Sequence, residues 1–356
     1  MGPIMGLLVR FLLALALTVV LLSLADYALA ATPVATVHDA LDAHGPLGAH
    51  FVDLWRIFLA LTTLFFAAIL VAVFIAWRRA PRAGEEVPPD LTMVNREEPE
   101  TQRHVTNAVI ASVVGLLVLI VASFFTDRAI ARLPLQNAVN VEVTGNQWWW
   151  MVRYLDGPNS NDIFSTANEM HVPVGRPVVI QLKGGDVIHS LWIPSLGGKK
   201  DLIPGRTAIF NIRADHPGVY RAQCAEFCGL EHALMGLLVI AEPQDQFEQW
   251  RTAQRQSAPE PQEAKAQRGK QVFQSSSCAM CHAITGVDFA GGQHAPDLTH
   301  VGSRQTLAAG TLKNTREDMG AWIRNPQLFK PGTTMPATDL SQEDLDAIVA
   351  YLGGLK

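Results

Sequence analysis

The stretch GVYRAQCAEFCGLEHALMGLLVIAE, from Gly218 to Glu242, decides much of the fold. Its two ends, GVYRAQC and GLLVIAE, are rich in apolar and β-branched residues, which predicts two short strands. Between them, the loop from Cys224 to Met235 carries two cysteines, a histidine and a methionine. Soft ligands gathered between two strands predict a metal site at one end of a β-sandwich.

Similar runs lie upstream of this pair, separated by Gly and Pro: VNVEVTG, PVVIQLKG and TAIFNIR. Several short strands at such spacing predict an all-β sandwich, which we expect to occupy residues 136–242. The next residues, 243–262, are polar and contain two late prolines, which is typical of a helical turn followed by a linker.

The C-terminal residues, 263–356, differ in kind. EAKAQRGKQVF and SQEDLDAIVAYL have helical spacing, and the second begins with a serine cap. The middle of this part is rich in Gly and Pro, so a small all-α domain of this kind buries little apolar surface by itself. A bound prosthetic group is therefore expected.

The N-terminal part is strongly apolar. Residues 1–30 have the layout of a secretory signal, with an early arginine, an apolar run and a small-residue end at ALA. An uncleaved third span is the alternative. Two further runs, Ile57 to Trp77 and Val105 to Phe125, reach the ~20 residues that cross a bilayer as a helix. Residues 31–135 therefore predict an N-terminal segment with a transmembrane helical hairpin.

Charged residues indicate the orientation of this hairpin. Only Arg56 comes directly before the first span. Five arginines lie in the segment between the two spans: Arg78, Arg79, Arg82, Arg96 and Arg103. This bias places the connecting segment in the cytoplasm and everything after Thr126 on the outer side of a bacterial inner membrane. The net charge of −5, with both signs mixed, leaves no basic face and excludes nucleic acid as a partner.

The second cysteine pair belongs to the motif CAMCH, from Cys278 to His282. At this spacing two thiols can bond the vinyl groups of a haem c while the adjacent histidine ligates the iron. Met335, in a GTTMP loop, is the expected sixth ligand, because a thioether opposite histidine suits an electron carrier. Met280, inside the motif, and Met319, in a predicted helix, are less well placed, and the rival ligands are His294 and His300.

The first pair, Cys224 and Cys228, shares its loop with His232 and Met235. Thiolate, imidazole and thioether together favour copper over zinc. Two thiolates on one loop can bridge two metals, and His189 in GGDVIHSLWIP is the natural second histidine. A zinc site and a local disulfide, which an oxidising compartment would permit, are the alternatives.

These residues resemble subunit II of haem-copper cytochrome c oxidases, of the type with a cytochrome c domain fused to its C-terminus. The resemblance covers essentially the whole chain and is most specific in GDVIHSLWIPSLGGKKDLIPGR and QCAEFCGLEHALM. It implies a multi-domain membrane protein with a two-helix transmembrane hairpin, an all-β cupredoxin-like sandwich and an all-α cytochrome c domain.

The resemblance also implies a dinuclear CuA centre. Two bridging thiolates, two imidazoles, a thioether and a backbone carbonyl would be its ligands: Cys224, Cys228, His189, His232, Met235 and the carbonyl of Glu226. The side chain of Glu226 would bind magnesium at the interface with subunit I. Because one electron is shared by both coppers, the geometry would change little on reduction.

The run GNQWWWMVRY resembles the tryptophan-rich stretch of the family, and Trp148 matches the tryptophan through which electrons enter. A flat exposed indole would also suit a transient docking surface. Trp149 and Trp150 are expected to pack the sandwich. Asn146 and Trp149 depart from the family, which commonly has a histidine and a tyrosine at these positions.

A further departure concerns protons. The start of the second span, ETQRHVTNAV, lacks the glutamate followed by tryptophan that the family places at a proton-uptake channel. Glu100 or His104 could take the place of that glutamate, but we expect both to be interfacial anchors. This departure argues against a proton role for the subunit.

The resemblance implies an electron-input subunit of a respiratory, proton-pumping terminal oxidase. Electrons would pass from a donor through haem c and CuA to the haem of a catalytic subunit that reduces oxygen to water. The implied partners are subunits I and III, with a soluble or membrane-bound cytochrome c, or a quinol–cytochrome c reductase, as donor. The alternatives are the electron-input subunit of a nitric oxide or nitrous oxide reductase and a copper-handling assembly protein.

Overall fold

The computed structural model describes residues 36–79, 99–157, 159, 162–288, 290, 292 and 294–356. The predicted secretory signal, residues 1–30, lies outside the described residues, as do Arg82 and Arg96 of the segment between the two spans.

Two long helices precede the folded domains: α1 (Pro46–Arg79) and α2 (Pro99–Ile130). Each contains a window of mean hydropathy 2.8, and by length and composition each can cross a membrane. They pack against each other, and a Cβ added at Gly115 of α2 would lie 3.0 Å from the ring of Phe65. Both helices extend beyond the predicted apolar runs into their polar flanks, because hydrogen bonding along a helix does not end where hydropathy does.

The β domain, residues 139–242, consists of two five-stranded sheets in the orders β3-β2-β1-β5-β8 and β4-β10-β9-β6-β7. The inner faces of both sheets form one apolar core, with Trp150, Tyr154 and Tyr220 among its largest buried side chains. Strands β1 and β5 pair in parallel, whereas β9 and β10 form an antiparallel hairpin around the cysteine loop. The strands are β1 (Val139–Asn146), β2 (Trp149–Tyr154), β3 (Phe164–Ala167), β4 (Glu169–Pro173), β5 (Val178–Gly184), β6 (His189–Trp192), β7 (Lys199–Leu202), β8 (Ala208–Ile212), β9 (Gly218–Cys224) and β10 (Gly236–Glu242).

The segment before α1 belongs to the β domain. Val37 donates its N–H to the carbonyl of Val219 at 2.8 Å and accepts from the N–H of Arg221 at 3.0 Å, which adds a short bridge beside β9. At the start of α1, Leu47 is buried in the sandwich core. The first turn of α1 is therefore fixed to the sandwich, which hydropathy alone does not predict.

The segment after the sandwich contains a full helix, α3 (Gln244–Gln254), rather than a single helical turn. Trp250 of α3 stacks on His171 with ring centroids 4.0 Å apart, and Arg255 donates to the carbonyl of Asp156 at 2.9 Å. The first half of the predicted linker thus lies on the β domain, because its aromatic and cationic side chains find partners there.

The helical domain, residues 264–356, contains α4 (Ala264–Ser275), α5 (Cys278–Cys281), α6 (Arg316–Arg324) and α7 (Gln342–Gly354). Phe273 of α4 and Tyr351 of α7 lie in its core. The predicted serine cap forms, since Ser341 Oγ accepts from the N–H of Asp344 at 3.1 Å. A two-residue ribbon of β11 (Thr306–Leu307) and β12 (Leu312–Lys313) was not predicted, because two-residue strands leave no periodic pattern.

Candidate metal and haem sites

Two thiols form the centre of the first site. Cys224 ends β9, Cys228 lies on the following loop, and both are buried and free of a disulfide. Their sulfur atoms are 3.8 Å apart, against about 2.05 Å in a disulfide. The disulfide alternative is therefore wrong for this structure, and the pair is spaced for a shared metal.

The other predicted donors surround this pair. His189 Nδ1 lies 3.9 Å from the sulfur of Cys224, and the carbonyl of Glu226 lies 3.2 Å from the same sulfur. On the other side, His232 Nδ1 and Met235 Sδ lie 3.7 and 3.9 Å from the sulfur of Cys228. The ligand atoms of His189, Cys224 and Cys228 all lie within 4.8 Å of one another. Two strand ends and one loop thus bring all six predicted donors together.

The orientation of His189 is set by Asp186, which sequence reasoning missed. Asp186 Oδ1 bonds His189 Nε2 at 2.8 Å, which leaves Nδ1 directed at Cys224. The carboxylate also accepts from the N–H groups of Gln147 and Val187, each at 2.6 Å. A carboxylate behind a ligating histidine fixes the tautomer and the ring plane, and an acidic residue three positions before the histidine was the available signal.

The two thiols differ electrostatically. Burial raises the pKa of Cys224, but hydrogen bonds with His189 and with the backbone at Ser190 and Glu226 outweigh it, and the pKa falls to about 6. Burial and the negative charge of Cys224 raise the pKa of Cys228 to about 12. A cation that binds both sulfurs would remove this repulsion, which is what a site for two bridging thiolates requires.

Aromatic residues and an amide bond the backbone of the loop from Cys224 to Met235, called the copper loop below. Trp148 Nε1 and Gln147 Nε2 donate to the carbonyl of Cys228 at 2.9 and 2.8 Å. Trp150 Nε1 donates to the carbonyl of Met235 at 3.3 Å, and its ring is fully buried in the core as expected. Trp148 is only 8% exposed, so the expected exposed docking surface at this indole is wrong.

The CAMCH motif opens into a cavity of about 650 Å³. This volume is within the range of cofactor sites, and the cavity lies between the helical domain and the β domain. Its lining includes the four predicted haem residues from one side and two tryptophans from the other: Cys278, Cys281, His282, Met335, Trp148 and Trp149. Trp149 was expected to pack the sandwich, but it is partly exposed and faces this cavity.

His282 is prepared to bind a metal. Its Nδ1 lies 2.7 Å from the carbonyl of Pro296, so Nδ1 carries the proton and Nε2 has its lone pair free. Burial lowers the pKa of His282, which favours the neutral ring. A neutral imidazole is the form that ligates haem iron.

The loop of Met335 is anchored by Gln327. The amide of Gln327 donates to the carbonyl of Thr333 at 2.8 Å and to that of Met335 at 3.1 Å. Among the other candidates, Met280 is 68% exposed, and His300 is buried outside the cavity lining with Nε2 on the carbonyl of Gln256. Two further candidates line the cavity, and these are Met319 on α6 and the exposed His294.

The residues present fit both prosthetic groups. The donors of the first site are two thiol sulfurs, two imidazole nitrogens, a thioether and a carbonyl. This soft set suits copper, whereas zinc rarely uses methionine as a ligand. Glu226, whose carbonyl is a predicted copper ligand, is exposed, as are Phe227 and Leu230 of the same loop. This exposed face is suited to contact with another subunit.

Comparisons with known proteins identify two families along the chain. A family model described as cytochrome C oxidase subunit II, periplasmic domain, matches residues 157–242, and one described as cytochrome c matches residues 266–356. Cytochrome c oxidase subunit 2 of Alkalihalophilus pseudofirmus is 37% identical over 326 residues, which cover 89% of this chain and 90% of that protein. The corresponding protein of Bacillus sp. strain PS3 is 34% identical over 262 residues, which cover 68% of this chain and 72% of that protein.

Among solved structures, a crystal structure of the periplasmic domain of subunit II of cytochrome oxidase of Bradyrhizobium japonicum matches 34% of this chain and 96% of that chain. The sequence identity is 31% and the TM-score is 0.31.

Proposed function

The chain belongs to the cytochrome c oxidase subunit II family and carries a cytochrome c domain, and from this premise we propose that it is the electron-input subunit of a respiratory haem-copper oxidase. Its family makes it a membrane-anchored subunit of an oxidoreductase that assembles with the core subunits of the oxidase. We propose further that electrons travel from an outside donor to haem c, then to CuA, and then to the catalytic subunit that reduces oxygen to water.

Family membership implies CuA copper and haem c, and each of these groups carries one electron at a time when bound. We assign the haem to Cys278, Cys281 and His282, with Met335 as the sixth ligand. We assign the copper centre to six donors: His189, Cys224, the carbonyl of Glu226, Cys228, His232 and Met235.

The observation that carries the proposal is the position of Trp148 between the two donor sets. Its indole N–H bonds the carbonyl of Cys228, and the residue also lines the cavity of the CAMCH motif. A single residue thus contacts the copper loop and the haem cavity, which supports its role as the group through which electrons reach the copper ligands.

The remaining assignments follow the same family. We propose that the copper and haem domains, residues 136–242 and 263–356, lie on the periplasmic side, with subunits I and III as partners. The exposed carboxylate of Glu226 is the proposed magnesium ligand. Glu100 and His104 are exposed in the first turns of α2, and we assign them no proton role.

Two measurements test the proposal. Metal analysis of the purified subunit should give two coppers and one iron per chain. Membranes should consume oxygen with reduced cytochrome c, and deletion of this chain should remove that activity. If oxygen uptake persists after deletion while reduction of nitric or nitrous oxide fails, the subunit serves a nitrogen-oxide reductase instead.

A further inference from the structure

The β domain and the helical domain contact each other through two buried charged residues that belong to neither proposed ligand set. Glu169, on β4, is 3% exposed, and its Oε1 accepts from the N–H groups of Gln305 and Thr306 at 2.6 and 3.0 Å. Lys330, on the helical domain, is 2% exposed, and its Nζ donates to the carbonyls of Trp148 and Leu234, each at 2.9 Å. Each charge therefore bonds the backbone of the opposite domain.

Lys330 bonds two residues next to the proposed electron path, Trp148 and Leu234. Trp148 bonds the copper loop through its indole, and Leu234 immediately precedes the ligand Met235. Burial lowers the pKa of Lys330 to about 8, and attraction by Glu231 and Cys228 works against this effect. An ammonium without a directly bonded carboxylate is seldom buried, so its two carbonyl contacts have a specific role in placing the domains.

Glu169 makes the opposite type of contact, because it accepts from backbone N–H groups whereas Lys330 donates to backbone carbonyls. Burial raises the pKa of Glu169, whereas attraction by His171 and Arg304 and the two backbone hydrogen bonds lower it. Both amide hydrogens converge on one carboxylate oxygen, which fixes the start of β11 against β4. A buried acceptor with two donors from the other domain defines one relative position of the two domains.

A strained loop adds a third contact. Ala308, Ala309 and Gly310, between β11 and β12, all have positive φ, at 52°, 58° and 80°. Alanine rarely adopts this backbone conformation, and such strain persists only where the surroundings hold it. Here the carbonyl of Ala309 accepts from the N–H of Gly236 at 3.0 Å, directly after the copper loop.

We propose that Glu169 and Lys330 are positioning residues that form a two-point polar latch, which holds the helical domain docked on the copper domain and closes Trp148 to outside donors. The latch deepens the proposed function and rests on it for its physiological meaning. It explains why Trp148 is buried, and it directs any outside donor to the exposed side of the helical domain. With the latch closed, Trp148 lies between the residues that would hold haem c and those that would hold CuA, so a one-electron transfer between the two bound groups would stay within the chain.

The test uses the purified oxidase complex with its copper and haem in place and two readouts of docking. Hydrogen exchange is measured at the amides of Gln305 and Thr306, and hydroxyl-radical labelling is measured at Trp148, with Trp192 of the β domain as internal standard. Lys330→Met keeps the length of the side chain but removes the donor. Lys265→Met is the matched control, because Lys265 is 56% exposed and pairs with Asp346 within the helical domain.

Lys330→Met should raise labelling of Trp148 and exchange at the two amides by roughly tenfold or more, as expected for the loss of a charge-assisted contact. Glu169→Ala should do the same. Glu169→Gln should open clearly less than Glu169→Ala, because glutamine keeps the single oxygen that both amides bond and loses only the charge that strengthens these bonds. A merely structural role would not produce this rescue, provided that the absorbance of haem and copper shows both sites intact.

The outcomes separate the latch from the proposed function. If Lys330→Met and Glu169→Ala exchange and label like the Lys265→Met control, the latch is overturned, whatever the oxidase activity. If Glu169→Gln opens as far as Glu169→Ala, the two backbone hydrogen bonds do not hold the domains and the latch is also overturned. If the domains open but transfer of an electron from haem to copper keeps its rate, the latch stands and the proposed electron path through Trp148 fails.

Discussion

Replacing Asp186 by asparagine should weaken copper binding although Asp186 is not a ligand. Oδ1 of this carboxylate accepts from Val187 and from His189, and Oδ2 accepts from Gln147. Asparagine keeps one oxygen. If that oxygen remains on His189, the amide NH2 faces the N–H of Gln147, and if the amide flips, the NH2 faces the ring instead. In either arrangement His189 loses part of the support that directs Nδ1 to the copper.

The magnitude follows from the number and exposure of these bonds. A hydrogen bond to a charged group contributes about 1.5–3 kcal/mol when it is buried. The Asp186 side chain is 35% exposed, so solvent screening reduces this contribution. We therefore expect a copper affinity about 10–100-fold weaker, or about 1.4–2.8 kcal/mol, in line with losses of partners behind metal-ligating histidines.

The assay is a competition titration of the copper-free protein with a copper chelator, read by the absorbance of the copper centre. Asp215→Asn is the control, because the Asp215 side chain is 36% exposed and pairs with Arg213 rather than with a copper ligand. An affinity for Asp186→Asn equal to that of the control, with an unchanged electron paramagnetic resonance spectrum, would refute the reasoning that Asp186 orients His189.

Three other changes test the sites independently. The pKa of Cys224 is lowered to about 6 and that of Cys228 is raised to about 12. In copper-free protein whose Cys278 and Cys281 are bonded to haem c, the ultraviolet absorbance should therefore show one thiolate forming as the pH rises through about 6 and the second thiol still protonated at pH 9. Cys224→Ser should remove the first step, and two thiolates below pH 9 would contradict the assignment. Met335→Ala should alter the haem spectrum and lower the haem potential while the copper spectrum stays the same, and an unaltered haem would assign the sixth ligand to another group. Gly145→Ala would place a methyl group 2.9 Å from the ring of His189. It should therefore lower the free energy of unfolding by about 1–3 kcal/mol and shift the copper absorbance. A thermal melt and a spectrum identical to those of the unchanged protein would disprove this contact.

The proximity of the six proposed copper donors could be predicted from sequence because local structure places most of them. Four lie on the loop between β9 and β10, Cys224 ends β9, and His189 begins β6. The thiol spacing of CAMCH is likewise a property of one helical turn, α5. Patterns formed by residues close together in the chain can be recognised from the sequence alone, and the apolar runs of α1 and α2 are patterns of this type.

The contacts between the domains could not be predicted in this way. Lys330 bonds the carbonyl of Trp148 across 182 residues, and Glu169 bonds Thr306 across 137 residues. Neither residue lies in a periodic pattern, and a lone Lys or Glu in a sequence predicts an exposed side chain. Trp148 is 8% exposed and its carbonyl accepts from Lys330, so the exposure expected of this indole from its sequence motif is wrong.

The way the β domain joins the two long helices limits which part of the subunit can move. Residues before α1 already pair with β9 through Val37, and α2 ends at Ile130, which packs against the same core shortly before β1 begins at Val139. The sandwich is thus joined to both long helices, whereas the helical domain has one covalent connection to the sandwich and otherwise depends on the contacts of Glu169, Lys330 and Ala309. If those contacts open, the motion should belong to the helical domain, and the sandwich should keep its position relative to the two long helices.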